Sequence, residues 1–193
     1  MLTVETLVLA SASPRRAELL KLLQSEFEVL PCPIPEDRLN GESPAVMVQR
    51  LAYAKARAAR ELRRHSTIVG ADTVVVLGES VFGKPVSAEV ARHMLQSLSG
   101  KIHSVLTGVC VWRRETCLVD FCRTDVIFSR MSEQEIAAYL KTGEPQDKAG
   151  AYAIQGFAAR FVERVEGCYF NVVGLPVSLV YQMLKRTGYA LNG

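Results

Sequence analysis

The chain has 193 residues, 49% of them hydrophobic and 22% charged. That much apolar material fills a real core and excludes a disordered chain, and the length suits one compact unit, so residues 1–193 are read as a single domain. A net charge of +3 without a basic stripe argues against nucleic acid as a partner and permits an anionic ligand.

Five cysteines, Cys32, Cys110, Cys117, Cys122 and Cys168, are an odd number with no CxxC pair. They indicate neither a disulfide framework nor a zinc site, and are expected to be reduced, mostly buried thiols. The apolar run at Leu7 to Ala10 lacks a basic leader, and no stretch reaches the ~18 apolar residues of a membrane helix. A cytoplasmic chain with no membrane partner is expected.

In chain order, Thr3 to Ala10 reads as a strand and Pro14 opens a helix to about Leu23. "FEVL" (27–30) is a second strand. The prolines of "PCPIPED" then forbid regular structure and leave Glu36 and Asp37 on a loop. Ser43 and Pro44 start a long helix to about Arg64, with Met47, Leu51, Ala54, Ala58 and Leu62 on its apolar stripe and Lys55 beside it. "TIVGADTVVVL" (67–77) is a central strand, residues 79–85 a short strand or turn, and Ser87 caps a helix through Leu98. His103 to Arg113 and Cys117 to Phe128 form a hairpin, and Ser132 with Glu135 is a capping-box pattern for a helix to about Lys141. Residues 144–156 are rich in turn formers, 159–167 alternate like a strand, and Pro176 starts a final helix ending near Thr187. Because a hairpin interrupts the alternation of strand and helix, the fold class is α/β with a mixed sheet flanked by helices.

Three sets of residues stand out chemically. Ser11, Ala12 and Ser13 run into a helix start, where free N–H groups favour an anion, yet Arg15 and Arg16 sit in the first turn, where cations are disfavoured. Something negative belongs there; the alternative is that Ser13 merely caps the helix and the arginines reach into water. Asp72 lies in an otherwise apolar strand, where a carboxylate needs a partner, a metal or a cleft, unless it sits at an exposed strand end. With Glu36 and phosphate oxygens it suits Mg²⁺ or Mn²⁺. Lys55, Lys84 and Lys148 are surface cations unless the fold gathers them, and Thr73 and Gln155 have side chains able to read a base. The chain has no P-loop, no dinucleotide glycine fingerprint, no HExxH and no GxSxG. The residues alone therefore point to a phosphate-bearing small ligand with a divalent metal.

The segments "LASASPRRAELL", "GADTVVV", "GKP", "LSG", "TGV", "EPQDKAGAYAIQG" and "NVVGLPV", in this order along nearly the whole chain, resemble the Maf family of nucleoside triphosphate pyrophosphatases. The resemblance implies a Maf/ITPase-like fold, two lobes around a long mixed β-sheet with the site in the cleft, and admits a homodimer. It implies hydrolysis of a nucleoside triphosphate to the monophosphate and pyrophosphate. Asp72 would be the proton acceptor and, with Glu36, a metal ligand; Ser13, Arg16, Lys55 and Lys84 would surround the phosphates. Arg15, Thr73 and Gln155 match the specificity positions of the branch acting on dTTP and UTP, with CTP and modified pyrimidine nucleotides as further candidates. Ala153, Phe157, Ala158, Ala159 and Cys168 depart from the family's usual pattern. A second reading, which the family also carries, is a nucleotide-responsive interaction protein affecting cell division and septum formation.

Overall fold

A computed structural model describes residues 5–191. Seven strands form one mixed sheet: β1 (Leu7–Ala10), β2 (Glu28–Val29), β3 (Thr67–Leu77), β4 (Ser80–Phe82), β5 (Ile102–Arg113), β6 (Thr116–Phe128) and β7 (Val162–Glu166). Their order is β2-β1-β3-β5-β6-β7, with β4 off the path on β3. β1 pairs in parallel with both β2 and β3, while β4 on β3 and β7 on β6 are antiparallel. The expected mixed α/β class is thus what the chain forms. Among the described residues six α-helices accompany the sheet: α1 (Pro14–Leu20), α2 (Pro44–Leu62), α3 (Ala88–Leu98), α4 (Glu133–Leu140), α5 (Tyr169–Val173) and α6 (Val177–Arg186). Among the described residues no helix is long and apolar enough to cross a membrane.

Contacts divide the chain into two compact units. The first takes the described residues up to Asp72, Thr107–Cys122 and those from Gly174 on; the second takes Thr73–Leu106 and Arg123–Val173. In the first unit α2 lies very close to the sheet. A Cβ on Gly70 of β3 would overlap the carbonyl oxygen of Ala52 and stand 2.9 Å from the Ala56 nitrogen, and one on Gly108 of β5 would run into the Val48 backbone. Ala52, Ala56 and Ala59 on the facing side of α2 keep that approach possible, packed with Val8, Ala10, Ile68 and Cys110.

The second unit packs α3 and α4 around Val75, Leu95, Leu98, Val126, Phe128 and Phe161. Inside it His103 is buried, with Nε2 2.9 Å from the Tyr152 hydroxyl and its ring edge-on to Phe128. Burial pulls this imidazole down to about 4.

Several expectations shift by physical causes. The described part of the first strand is Leu7–Ala10, and Thr3 and Val4 lie outside the described residues. Leu62, assigned to the apolar stripe of α2, is 62% exposed because it stands in the helix's last turn. The alternating run 159–167 is strand only from Val162; Phe157–Phe161 instead wind into a 3₁₀ turn that buries Ala158 and Phe161. The short α5 has no sequence signal. Of the five cysteines only Cys110 is buried, the others being half-buried, and all are free.

Two outcomes follow. Gly70→Ala should cost about 1–3 kcal/mol, the usual range for overpacking, read as a lower denaturation midpoint with an unchanged slope. His103 binds its proton less readily folded than unfolded, so stability is full above the unfolded value of 6.5 and falls as pH drops toward 4. The loss approaches ~3 kcal/mol, and His103→Gln should flatten the slope of unfolding free energy against pH in that window.

Candidate active site

The first unit gathers four of the sequence-derived residues. Lys55 projects from the middle of α2, and its ammonium stands 2.6 Å from Asp72 Oδ1 on β3 and 2.6 Å from Glu36 Oε1 on the loop after β2. Asp72 and Lys55 are buried at 6% and 9% residue exposure, whereas the Glu36 side chain is 53% exposed. One inward cation therefore meets a buried carboxylate and a solvent-reaching one. Gly70 and Asp72, two residues apart on β3, share a face by strand alternation, so the close approach that Gly70 permits is what brings α2, and Lys55 with it, onto Asp72.

Arg16, also buried, completes the group. Its Nε donates to the Gly174 carbonyl (2.8 Å), and its Nη1 donates to the Ala71 carbonyl (2.9 Å) and to Ser11 Oγ (3.1 Å). Burial pulls the guanidinium below its ordinary value, and the charges of Asp72 and Glu36 oppose that pull. The guanidinium thus joins the β1–α1 loop, the middle of β3 and the segment before α6.

Ser13 and Arg15 are half-buried at the same helix start. Ser13 holds the N-cap position, but its side chain makes no capping hydrogen bond, and its amide donates to Ser11 Oγ (3.2 Å). The simple capping role is thereby excluded. Thr73, Lys84 and Gln155 belong to the second unit. Thr73 directly follows Asp72 in β3 and is half-buried; Lys84 is exposed on the turn after β4, which the Gly150 amide fastens through the Gly83 carbonyl (3.0 Å). Gln155 is exposed on the bend between two 3₁₀ turns.

Sequence reasoning missed Glu42 and Arg50. Arg50 forks onto the Glu42 carboxylate at 2.6 and 2.8 Å and also reaches the Asp37 carbonyl (2.9 Å). The fork holds Glu42 down to about 2, and it ties the loop carrying Glu36 to the start of α2. No local pattern announces a pair eight residues apart.

Glu36 and Asp72 thus bring two carboxylates to one ammonium, and carboxylate oxygens are the hard donors that Mg²⁺ or Mn²⁺ takes. Among the described residues no group of three or more His, Cys, Asp or Glu gathers.

A family described as "Maf-like protein" matches residues 6–187. Curated relatives called dTTP/UTP pyrophosphatase include one from Geobacillus sp. (strain WCH70), 48% identical and covering 96% of this chain and 100% of the relative. Another, from Geobacter sulfurreducens, is 49% identical over 94% of this chain and 96% of the relative. In fold alone, the chain is similar to the Staphylococcus aureus Ham1 protein (TM-score 0.55, 13% identity, 94% of this chain and 99% of that one). The same holds for a HAM1 protein from Coxiella burnetii (TM-score 0.52, 15% identity, the same coverage).

Lys55→Met should leave Asp72 buried without its nearest cation and lower stability by about 3 kcal/mol, the low end for breaking a buried pair because Arg16 also acts on Asp72. The double change Lys55→Met/Asp72→Asn should recover much of that loss in chemical denaturation; equal losses in both proteins would mean that the pair carries no stability.

Proposed function

The chain belongs to the Maf-like protein family, and from that membership we propose that it hydrolyses dTTP and UTP to the nucleoside monophosphate and pyrophosphate. CTP and modified pyrimidine triphosphates are further candidate substrates. The observation that carries the reading is the buried Lys55–Asp72 pair shared with Glu36 and flanked by Arg16. A purely structural ion pair would gain nothing from a third, solvent-reaching carboxylate, whereas a site for a triphosphate needs both signs of charge at one place.

In this reading water attacks the α-phosphorus, the bond to the bridging oxygen breaks, and pyrophosphate leaves with the electron pair. Asp72 takes the proton of the attacking water; Lys55, hydrogen-bonded to Oδ1, fixes the orientation of that carboxylate. A Mg²⁺ or Mn²⁺ held by Glu36 and Asp72 would neutralise phosphate charge and acidify bound water. Arg16, already oriented by two carbonyls and a hydroxyl, presents its charge to the phosphates with little reorganisation, and Ser13, Lys55 and Lys84 stabilise charge on the departing group. Arg15, Thr73 and Gln155 select the base.

The test is incubation with dTTP, UTP, CTP and 7-methyl-GTP in Mg²⁺ or Mn²⁺ with pyrophosphate and orthophosphate measured separately. Pyrophosphate release from dTTP and UTP is expected, and orthophosphate release would sink the reading. Asp72→Asn should lower turnover at least about 100-fold, the usual contribution of a general base, while nucleotide binding persists. Arg16→Ala should depress turnover with every substrate, and Arg15→Ala should mainly change which substrate is preferred.

A further inference from the structure

The segment "EPQDKAGAYAIQG" carries, at its first residue, a carboxylate to which the reaction above gives no role. Glu144, half-buried just after α4, accepts from the Tyr139 hydroxyl at Oε1 (2.6 Å), from the Phe157 amide at Oε2 (2.9 Å) and from the Ala158 amide at Oε1 (3.5 Å). The Tyr139 oxygen in turn accepts from the Ala153 amide (3.2 Å). Both flanks of Gln155 are therefore tethered to one tyrosine–carboxylate pair, and the Gly156 amide closes the bend onto the Ala153 carbonyl (3.1 Å).

The pair itself is rigid. Tyr139 is 3% exposed on α4, and burial together with Glu144 pushes its phenol well above the ordinary range, so it remains a donor. A Cβ on Gly156 would collide with the Glu144 carboxylate, so the backbone beside Gln155 lies directly against it. Residues 153–158 are outside every sheet ladder of the fold. With no strand partner, this bend takes its shape from side chains.

We infer that Glu144 is a positioning residue for nucleobase selection, holding through Tyr139 and the amides of Phe157 and Ala158 the bend that presents Gln155. The inference rests on the reading of Gln155 as a residue that selects the base. Glu144 makes no contact with the reacting phosphate in this scheme, so its loss acts on KM and on the ranking of substrates before it acts on kcat.

The experiment compares wild type, Glu144→Gln, Gln155→Ala and the double variant with dTTP, UTP and GTP, reading kcat and KM separately. Glu144→Gln keeps the volume but loses the charge that three donors face. It should raise KM for dTTP and UTP about tenfold with kcat nearly kept, shrinking their preference over GTP. In the Gln155→Ala background the same change should add little, because the two act as one unit. Tyr139→Phe, which removes only the hydroxyl, should shift KM in the same direction by less, and serves where Glu144→Gln folds poorly. An additive effect in the double variant, or an equal fall of kcat for all three nucleotides, overturns the inference while leaving Gln155 as a selector. A Gln155→Ala protein with unchanged substrate ranking overturns both.

Discussion

Charge buried away from water is tolerated only where it is matched, and that constraint shapes the first unit of this protein. Lys55, Asp72 and Arg16 are all nearly inaccessible, and each depends on the others or on fixed dipoles. Bringing Lys55 to Asp72 requires α2 to lie against β3 more closely than ordinary side chains allow. Gly70 and the alanines at 52 and 56 make that distance reachable. The sequence "GAD" can therefore be understood as one device: glycine opens the room, and the aspartate two residues later uses it on the same face of the strand.

Arginine in the first turn of a helix is electrostatically misplaced, and the structure shows how α1 tolerates Arg16. Its guanidinium leaves the helix dipole and donates to two backbone carbonyls, those of Ala71 and Gly174, and to Ser11 Oγ. Those contacts span the chain from its first loop to the segment before α6. The fork geometry of arginine suits this: several donors in one plane satisfy several acceptors while the charge stays intact. A lysine at the same place would satisfy fewer acceptors. What looked like a local flaw is a long-range tie, and it holds a buried cation whose charge is felt by Asp72 and Glu36.

Most regular elements were legible in the sequence. β3 spans Thr67–Leu77 as its β-branched run indicates, α3 ends at Leu98 before its "SG", and the Ser132–Glu135 capping box forms as expected. These depend on neighbours in sequence, so pattern suffices. What escaped depends on partners far away. His103 carries no local signal because Tyr152 lies 49 residues on, and Glu42 reads as a loop acid until Arg50 is folded back onto it. The run 159–167 alternates plausibly as a strand, yet its first three residues join Phe157 and Ala158 in a 3₁₀ turn, held by the tethers to Glu144 and the burial of Ala158 and Phe161. Among the candidate site residues, Asp72 was visible as a misplaced acid and Lys55 only as a cation beside an apolar stripe. Their pairing with Glu36 was not, because a loop of prolines fixes no direction for its side chains.

The two units hold Lys55 and Asp72 on one side and Gln155 on the other by different means, and the difference suits the tasks proposed for them. Lys55 and Asp72 stand on a long helix and a central strand, where backbone hydrogen bonds and packing fix them within narrow limits. A group that must meet a developing charge benefits from such rigidity, because misplacement costs rate steeply. Gln155 stands on a bend that no ladder supports and that two side chains hold instead. A bend held by side chains can be retuned by one substitution at little cost to the core, and under the proposed reading such a change would alter the choice of base while the phosphate site stays fixed. Ala153 and Phe157, which flank Gln155 on that bend, belong to neither the strand nor the helix that carries Asp72 and Lys55.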